Sequence, residues 1–93
     1  MEDKKYLDAL NKVLEKRYSF RDYSLKGYQE ESTCLEKKGS TYLVYDGERN
    51  NHHREVKCDT IQIACIELFK HMTLDEEKIE EMKEELIKYV ALD

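Results

Sequence analysis

The run TYLVY at residues 41–45 constrains the fold more than any other stretch, because neither of its alternating faces carries a charge. Its β-branched and aromatic side chains are typical of a β-strand. A strand with no charged face is typical of the interior of a sheet, where neighbouring elements cover both sides. The sequence therefore predicts a sheet with TYLVY as its central strand.

Two runs near TYLVY have the alternation expected of partner strands. The three predicted strands are ESTCLEK at 31–37, STYLVYD at 40–46 and HREVKC at 53–58. Candidate inward residues in the outer two are Thr33, Leu35, Arg54, Val56 and Cys58. The second connection contains two turn signals, since Asp46-Gly47 favours a type I′ turn and Asn50-Asn51 offers a competing one.

The stretches on either side of the strands have apolar residues at three- and four-residue steps, as in amphipathic helices. The first predicted helix runs from Asp3 to about Tyr18. The second and third begin at Asp59 and Thr73, and each has a Gln or Glu three positions later as a capping-box partner. A connection of one or two residues between these two helices predicts an antiparallel helical hairpin.

These patterns predict an α+β fold in which an antiparallel sheet of about three to four strands packs against helices, in the order α-β-β-β-α-α. The 93 residues suit a single domain, 1–93, with one core. The residues expected in that core are Leu10, Leu14, Leu43, Ile61, Leu68, Phe69, Ile79 and Leu86.

The charge balance excludes some partners. Sixteen basic and 21 acidic residues give a formal charge of −5, which argues against nucleic acid and favours a basic protein partner. The N-terminal run MEDKKYLDAL is amphipathic and has neither a secretory signal nor a membrane span, so we expect a cytoplasmic protein that does not bind membranes. Three cysteines without CxxC spacing indicate reduced thiols, and Cys65 lies within an apolar helical stripe.

Catalysis is not expected from the candidate residues. His52 and His53 follow two asparagines, but adjacent residues on a strand point to opposite faces and do not easily share a metal. The cysteines and histidines lack the close pairs of zinc sites, and no nucleophile motif or phosphate-binding loop is present. We therefore expect no metal, no cofactor and no enzymatic activity. A minor metal-dependent hydrolase using NNHH remains an alternative.

Glutamates on the third predicted helix form two lines at four-residue steps, 76-80-84 and 77-81-85. Like charges at this spacing destabilise a helix by a few tenths of a kcal/mol per pair. The simpler interpretation is a solvated face, relieved partly by pairing of Glu80 with Lys83 and of Glu84 with Lys88. The functional interpretation is a docking strip for a basic partner. The candidate partner-binding residues on this helix and at the hairpin rim are Asp46, Glu48, Glu76, Glu80 and Glu84.

The run YSLKGYQEESTCLEKKGSTYLVYDGERNN, followed by TIQIACIELFKHM, resembles small immunity proteins of bacterial polymorphic-toxin systems. The matching elements are 23–27, Cys34 to Glu36, Glu48 with Arg49, and Ala64 with Cys65. Asn50 stands where that family has glycine, and Tyr42 stands where it has an aromatic residue that is often tryptophan.

This resemblance implies a non-catalytic protein that binds and neutralises a co-encoded toxin inside the bacterial cell that makes it. The other binding-protein hypothesis is a small adaptor or regulatory protein of a mobile element. In either case we expect Glu48 and Arg49 to project at the end of the sheet, with Arg49 in a structural ion pair or in contact with the partner.

Overall fold

The computed structural model describes residues 2–92 and has an α+β fold, as predicted, with a four-stranded sheet and three helices. The elements in chain order are α1 (Glu2–Glu15), β1 (Tyr23–Ser24), β2 (Ser32–Lys38), β3 (Thr41–Glu48), β4 (Asn51–Cys58), α2 (Ile61–Met72) and α3 (Glu76–Leu92). The three predicted strands and three predicted helices are all present.

The sheet is mixed, not wholly antiparallel as expected. The strand order is β1-β2-β3-β4, with the β2–β3 and β3–β4 pairs antiparallel. The two-residue β1 pairs with β2 in parallel through Tyr23 opposite Thr33. A strand this short carries too little alternation to be recognised in a sequence. Its pairing brings the chain between α1 and β2 to the edge of the sheet.

The interior position of β3 is confirmed, and its alternating side chains are buried on two different faces. Tyr42 and Val44 join the core beneath the helices. Leu43 and Tyr45 lie in a separate cluster with Cys34. Leu43 is therefore buried, but its expected place in the helix-covered core is wrong, because strand alternation turns it to the other face.

The helices cover one face of the sheet and supply most of the large core. α2 contacts β2, β3 and β4, while α3 contacts α1 and α2. The predicted core residues of α1 and α2 are buried, as is Leu86 of α3, and Ile79 is half-buried at the rim. No helix within residues 2–92 is both long and apolar enough to cross a membrane.

The β3–β4 turn forms at Arg49-Asn50, not at Asp46-Gly47. Glu48 pairs with Asn51, and the two residues between them have φ of 51° and 63°, the signs that a type I′ turn requires. Gly47 lies instead within β3, where an added Cβ would stand 2.4 Å from the carbonyl oxygen of Gln29. Glycine at position 47 therefore lets the backbone at Gln29 pack directly against β3.

Both helix starts lie later than predicted. Thr60, not Asp59, is the N-cap of α2, and its hydroxyl accepts a hydrogen bond from the Ile63 N–H at 3.2 Å. The Asp75 carboxylate accepts from the first turn of α3, so Thr73 is not the N-cap of that helix. The connection is thus three residues long, 73–75.

Candidate partner-binding surfaces

Asp46 and Glu48 lie together at the end of the sheet, as the sequence predicted. With Asp22 and Glu31 they line a cleft of about 320 Å³, called here the sheet-end cleft. Asp46 and Glu48 lie at the end of β3, while Asp22 and Glu31 directly precede β1 and β2, and the strand pairing brings these four carboxylates into one surface. The cleft therefore offers negative charge to a basic group.

Asp46 is already engaged within the protein. Its carboxylate forms an ion pair with Arg54 and accepts a hydrogen bond from the Thr33 hydroxyl at 3.3 Å. The Asp46 carboxylate also raises the pKa of Arg54. Arg54 lies in a β-bulge of β4, where Arg54 and Glu55 are both opposite Tyr45. The φ of Arg54 is 53°, and from this position its side chain contacts the Asp46 carboxylate. Asp46 is thus mainly a structural residue, and Glu48, the other predicted residue of this rim, is exposed.

Of the two alternatives for the Arg49 side chain, a structural ion pair is not found among the described residues, and contact with a partner stays a prediction. The backbone N–H of Arg49 instead donates to Glu30 at 2.9 Å, and Tyr28 donates its hydroxyl to the same carboxylate. The Tyr28 hydrogen bond, with those from the turn backbone, lowers the pKa of Glu30. Glu30 therefore ties the loop before β2 to the β3–β4 turn.

The glutamates of α3 line a second depression, of about 360 Å³. We call this surface the acidic helix face, and its residues are Glu76, Glu77, Glu80, Glu81 and Glu84. Glu80 pairs with Lys83 at 3.2 Å, as predicted, and Glu81 lies 3.9 Å from Arg17. Among residues 2–92, Glu76, Glu77 and Glu84 have no ion-pair partner, so the predicted pair of Glu84 with Lys88 is wrong. The five predicted residues are thus divided between two depressions.

Glu85 is adjacent to this face but belongs to the helix packing. The Arg17 guanidinium donates to both Glu85 carboxylate oxygens, at 2.9 and 2.6 Å. The Arg17 and Glu85 side chains are only 17% and 28% exposed. The hydrogen bonds from Arg17 lower the pKa of the Glu85 carboxyl group. Because the pair joins the turn after α1 to α3, Glu85 has a structural role.

The two adjacent histidines are on opposite faces of β4, in line with the strand alternation. His52 is opposite Gly47, and its ring stacks on Tyr45 with centroids 3.6 Å apart. His52 Nδ1 lies 2.6 Å from Glu55. His53 is opposite Asp46 and exposed. No group of three or more metal-ligating side chains occurs within the described residues.

The three cysteines are buried free thiols. Burial raises the pKa of Cys34 and Cys58, and it raises the pKa of Cys65 to about 12. Because the thiolate is the reactive form, these groups are poorly suited to nucleophilic chemistry near neutral pH. The prediction that Cys65 is a core residue is confirmed.

A third surface feature, formed by α1 and the β1 edge, was not predicted from the sequence. It is a groove of about 820 Å³ between α1 and the β1 edge, called here the edge groove, and its apolar lining residues are Leu7, Phe20, Tyr23 and Leu25. Phe20 is 75% exposed, although its ring is fully apolar. The groove forms only when β1 pairs with β2 beside α1, which a local sequence pattern does not show. Phe20, an apolar residue outside the predicted helices and strands, was the sequence signal for it.

Comparisons with protein-family models, with curated proteins and with solved structures find no match for this chain.

Proposed function

We propose that this chain is a cytoplasmic bacterial immunity protein that binds and neutralises a basic, co-encoded toxin without catalysis. The observation that carries the proposal is the acidic helix face, where Glu76, Glu77 and Glu84 are exposed without an ion-pair partner among residues 2–92. The net charge of −5 and the resemblance to polymorphic-toxin immunity proteins support the same interpretation.

The physical argument is the cost of clustering these charges. Glu76, Glu80 and Glu84 are spaced four residues apart, so their repulsion disfavours the free helix. A basic partner relieves this repulsion on binding and is attracted from a distance. Electrostatic attraction of this kind increases the association rate and weakens as ionic strength rises.

The positions of the histidines and cysteines support a binding role over a hydrolase. His52 stacks on Tyr45 and contacts Glu55, while His53 lies on the other face of the strand. The two rings therefore cannot meet at one metal ion or one reacting group. The buried thiols are likewise shielded from a substrate.

The test combines binding with protection. The toxin domain encoded beside this gene is purified, and association is followed by stopped-flow fluorescence from about 0.05 M to about 0.5 M salt. The double variant Glu76→Lys and Glu84→Lys should associate about tenfold more slowly at low salt, and the difference should shrink at high salt. Glu80 is left unchanged because it pairs with Lys83.

The control variant carries Glu15→Lys and Asp59→Lys, which changes the net charge equally at exposed positions elsewhere. Equal slowing in both variants would show that only net charge matters and would reject the acidic helix face. Expression of the wild-type chain should also rescue cells that produce the toxin. No neighbouring toxin gene, or no rescue by a soluble folded chain, would refute the immunity function.

A further inference from the structure

The edge groove and the sheet-end cleft are parts of one continuous surface. A small depression lies between them, and it shares Phe20 and Gln29 with the edge groove. The same depression shares Asp22 and Glu31 with the sheet-end cleft. The three depressions are therefore adjacent, and a polypeptide segment lying along them would contact both ends.

The chemistry changes along this surface. At one end the apolar part of the lining comes from Leu7, Tyr23, Leu25 and the exposed ring of Phe20. The charged residues of this lining are balanced in sign, with two acidic and two basic side chains, Asp3, Asp8, Lys4 and Lys26. At the other end and in the middle it is formed largely by carboxylates, which are Asp22, Glu30, Glu31, Asp46 and Glu48. Arg21 is the one basic residue among the described residues that line the small depression and the cleft.

Hydrogen bonds from the Gln29 side chain order the loop that lines the edge groove. The side-chain amide of Gln29 donates to the carbonyl oxygens of Phe20 and Tyr23, at 3.1 and 3.3 Å. The same nitrogen lies 2.7 Å from the Ser32 hydroxyl, so its two N–H groups are shared among three acceptors. These contacts fix the loop that presents Phe20 against the start of β2. A preformed groove lowers the ordering cost of binding.

Resting on the proposed function, we infer that this surface docks one segment of the basic toxin. That segment places a large apolar side chain in the edge groove and arginine or lysine side chains over the sheet-end cleft. Charge complementarity selects such a segment over an acidic or purely apolar one. Aromatic and arginine side chains are the residue types enriched at interface centres.

This assignment separates two contributions to binding. The acidic helix face acts at long range and raises the association rate. The edge groove acts only on contact, because apolar burial requires water to be expelled between touching surfaces. Substitutions in the groove should therefore increase the dissociation rate and leave the association rate nearly unchanged.

The first experiment uses peptides, so that it does not depend on the toxin. The isotope-labelled full chain is titrated by NMR with acetylated peptides in which one phenylalanine is joined to several arginines by glycine spacers of varied length. Amide signals of the edge groove and sheet-end cleft should shift together. Peptides with serine in place of phenylalanine, or with glutamate in place of arginine, should bind about tenfold more weakly or worse.

The matched variants are Phe20→Ser and Leu74→Ser. Both replace a highly exposed apolar side chain, 75% and 91% exposed, so neither should impair folding. Phe20→Ser should weaken peptide binding about tenfold, while Leu74→Ser should not change it. The pair Glu31→Gln and Glu48→Gln should reduce the salt dependence of binding, unlike Glu84→Gln.

Failure of the inference can be distinguished from failure of the proposed function. If the chain rescues intoxicated cells but Phe20→Ser dissociates from the toxin as slowly as wild type, the groove assignment is overturned and the function stands. Peptides that bind elsewhere, or do not bind, also overturn the assignment. If no toxin is neutralised but the phenylalanine–arginine peptides bind in the groove, the immunity function fails and the docking surface is supported.

Discussion

Glu84 and Glu85 are adjacent in the chain, yet only one of them is available to a partner. Glu84 lies on the acidic helix face without an ion pair among the described residues. Glu85 accepts two hydrogen bonds from Arg17 between α1 and α3. Adjacent residues on a helix point about 100° apart, so one residue step moves a carboxylate from solvent to an interhelical contact.

Glu85→Gln should destabilise the protein by about 1–2 kcal/mol near neutral pH, more than the ~0.2–1 kcal/mol of an exposed pair, because the pair is largely shielded from water. Arg17 lowers the pKa of Glu85 in the folded state. The stabilisation is therefore complete above the unfolded-state pKa and is lost as pH falls through the folded-state pKa.

Urea unfolding over a pH series measures this effect. The difference between wild type and Glu85→Gln should shrink as pH is lowered into the acidic range. The control Glu84→Gln should show a small difference at every pH. A Glu85→Gln difference that stays constant down to the lowest pH would contradict the role of the ion pair.

At the scale of elements, α2 and α3 illustrate how neighbouring capping residues compete. Asp59 and Thr60 are both good N-caps, and so are Thr73 and Asp75. Their local preferences are similar, and backbone geometry decides between them. Thr60 has the extended conformation of an N-cap, with φ −130° and ψ 157°, and accepts the Ile63 hydrogen bond.

Thr60→Ala should lower the free energy of unfolding by about 1 kcal/mol, because it removes the side-chain acceptor for the Ile63 N–H. Asp59→Ala should have a smaller effect, since Asp59 contributes only its charge near the helix N-terminus. Urea unfolding of the two variants compares them directly. A larger decrease in the free energy of unfolding for Asp59→Ala than for Thr60→Ala would show that Asp59 is the N-cap, as the sequence predicted.

At the scale of the whole molecule, the two faces of the sheet are covered very differently. The helical layer covers one face, with α3 packed on α1 and α2, while a thin layer that includes Tyr28, Gln29 and His52 covers the other. The Gln29 N–H donates to the Cys34 sulfur at 3.3 Å from this layer. A thin layer of loop and strand side chains can open locally at lower cost than the helical core.

Cys34 should therefore react with iodoacetamide faster than Cys65 in the native protein, although both are buried. Tyr28→Ala should accelerate labelling of Cys34 and leave Cys65 unchanged, because Tyr28 belongs to the layer above Cys34. Mass spectrometry after timed labelling measures each thiol, and labelling in urea gives the unfolded reference. Equal native rates at the two thiols would show that only global unfolding exposes them.

The sequence determined the type and order of the longer elements and the interior position of β3. It also indicated both acidic surfaces, through the hairpin carboxylates and the spacing of the glutamates on α3. These features could be predicted because periodicity and turn preference act between residues that are close along the chain. The resemblance to immunity proteins added a function that remains a proposal.

Only the tertiary structure decided which of these residues remain available. It placed Asp46 in an ion pair with Arg54, joined Glu85 to Arg17, and moved the turn to Arg49-Asn50. It also formed the edge groove by pairing β1 with β2 beside α1. Each outcome depends on contacts between residues that are far apart in the sequence. Alternative local conformations differ in free energy by only about 1 kcal/mol, so these tertiary contacts decide between them.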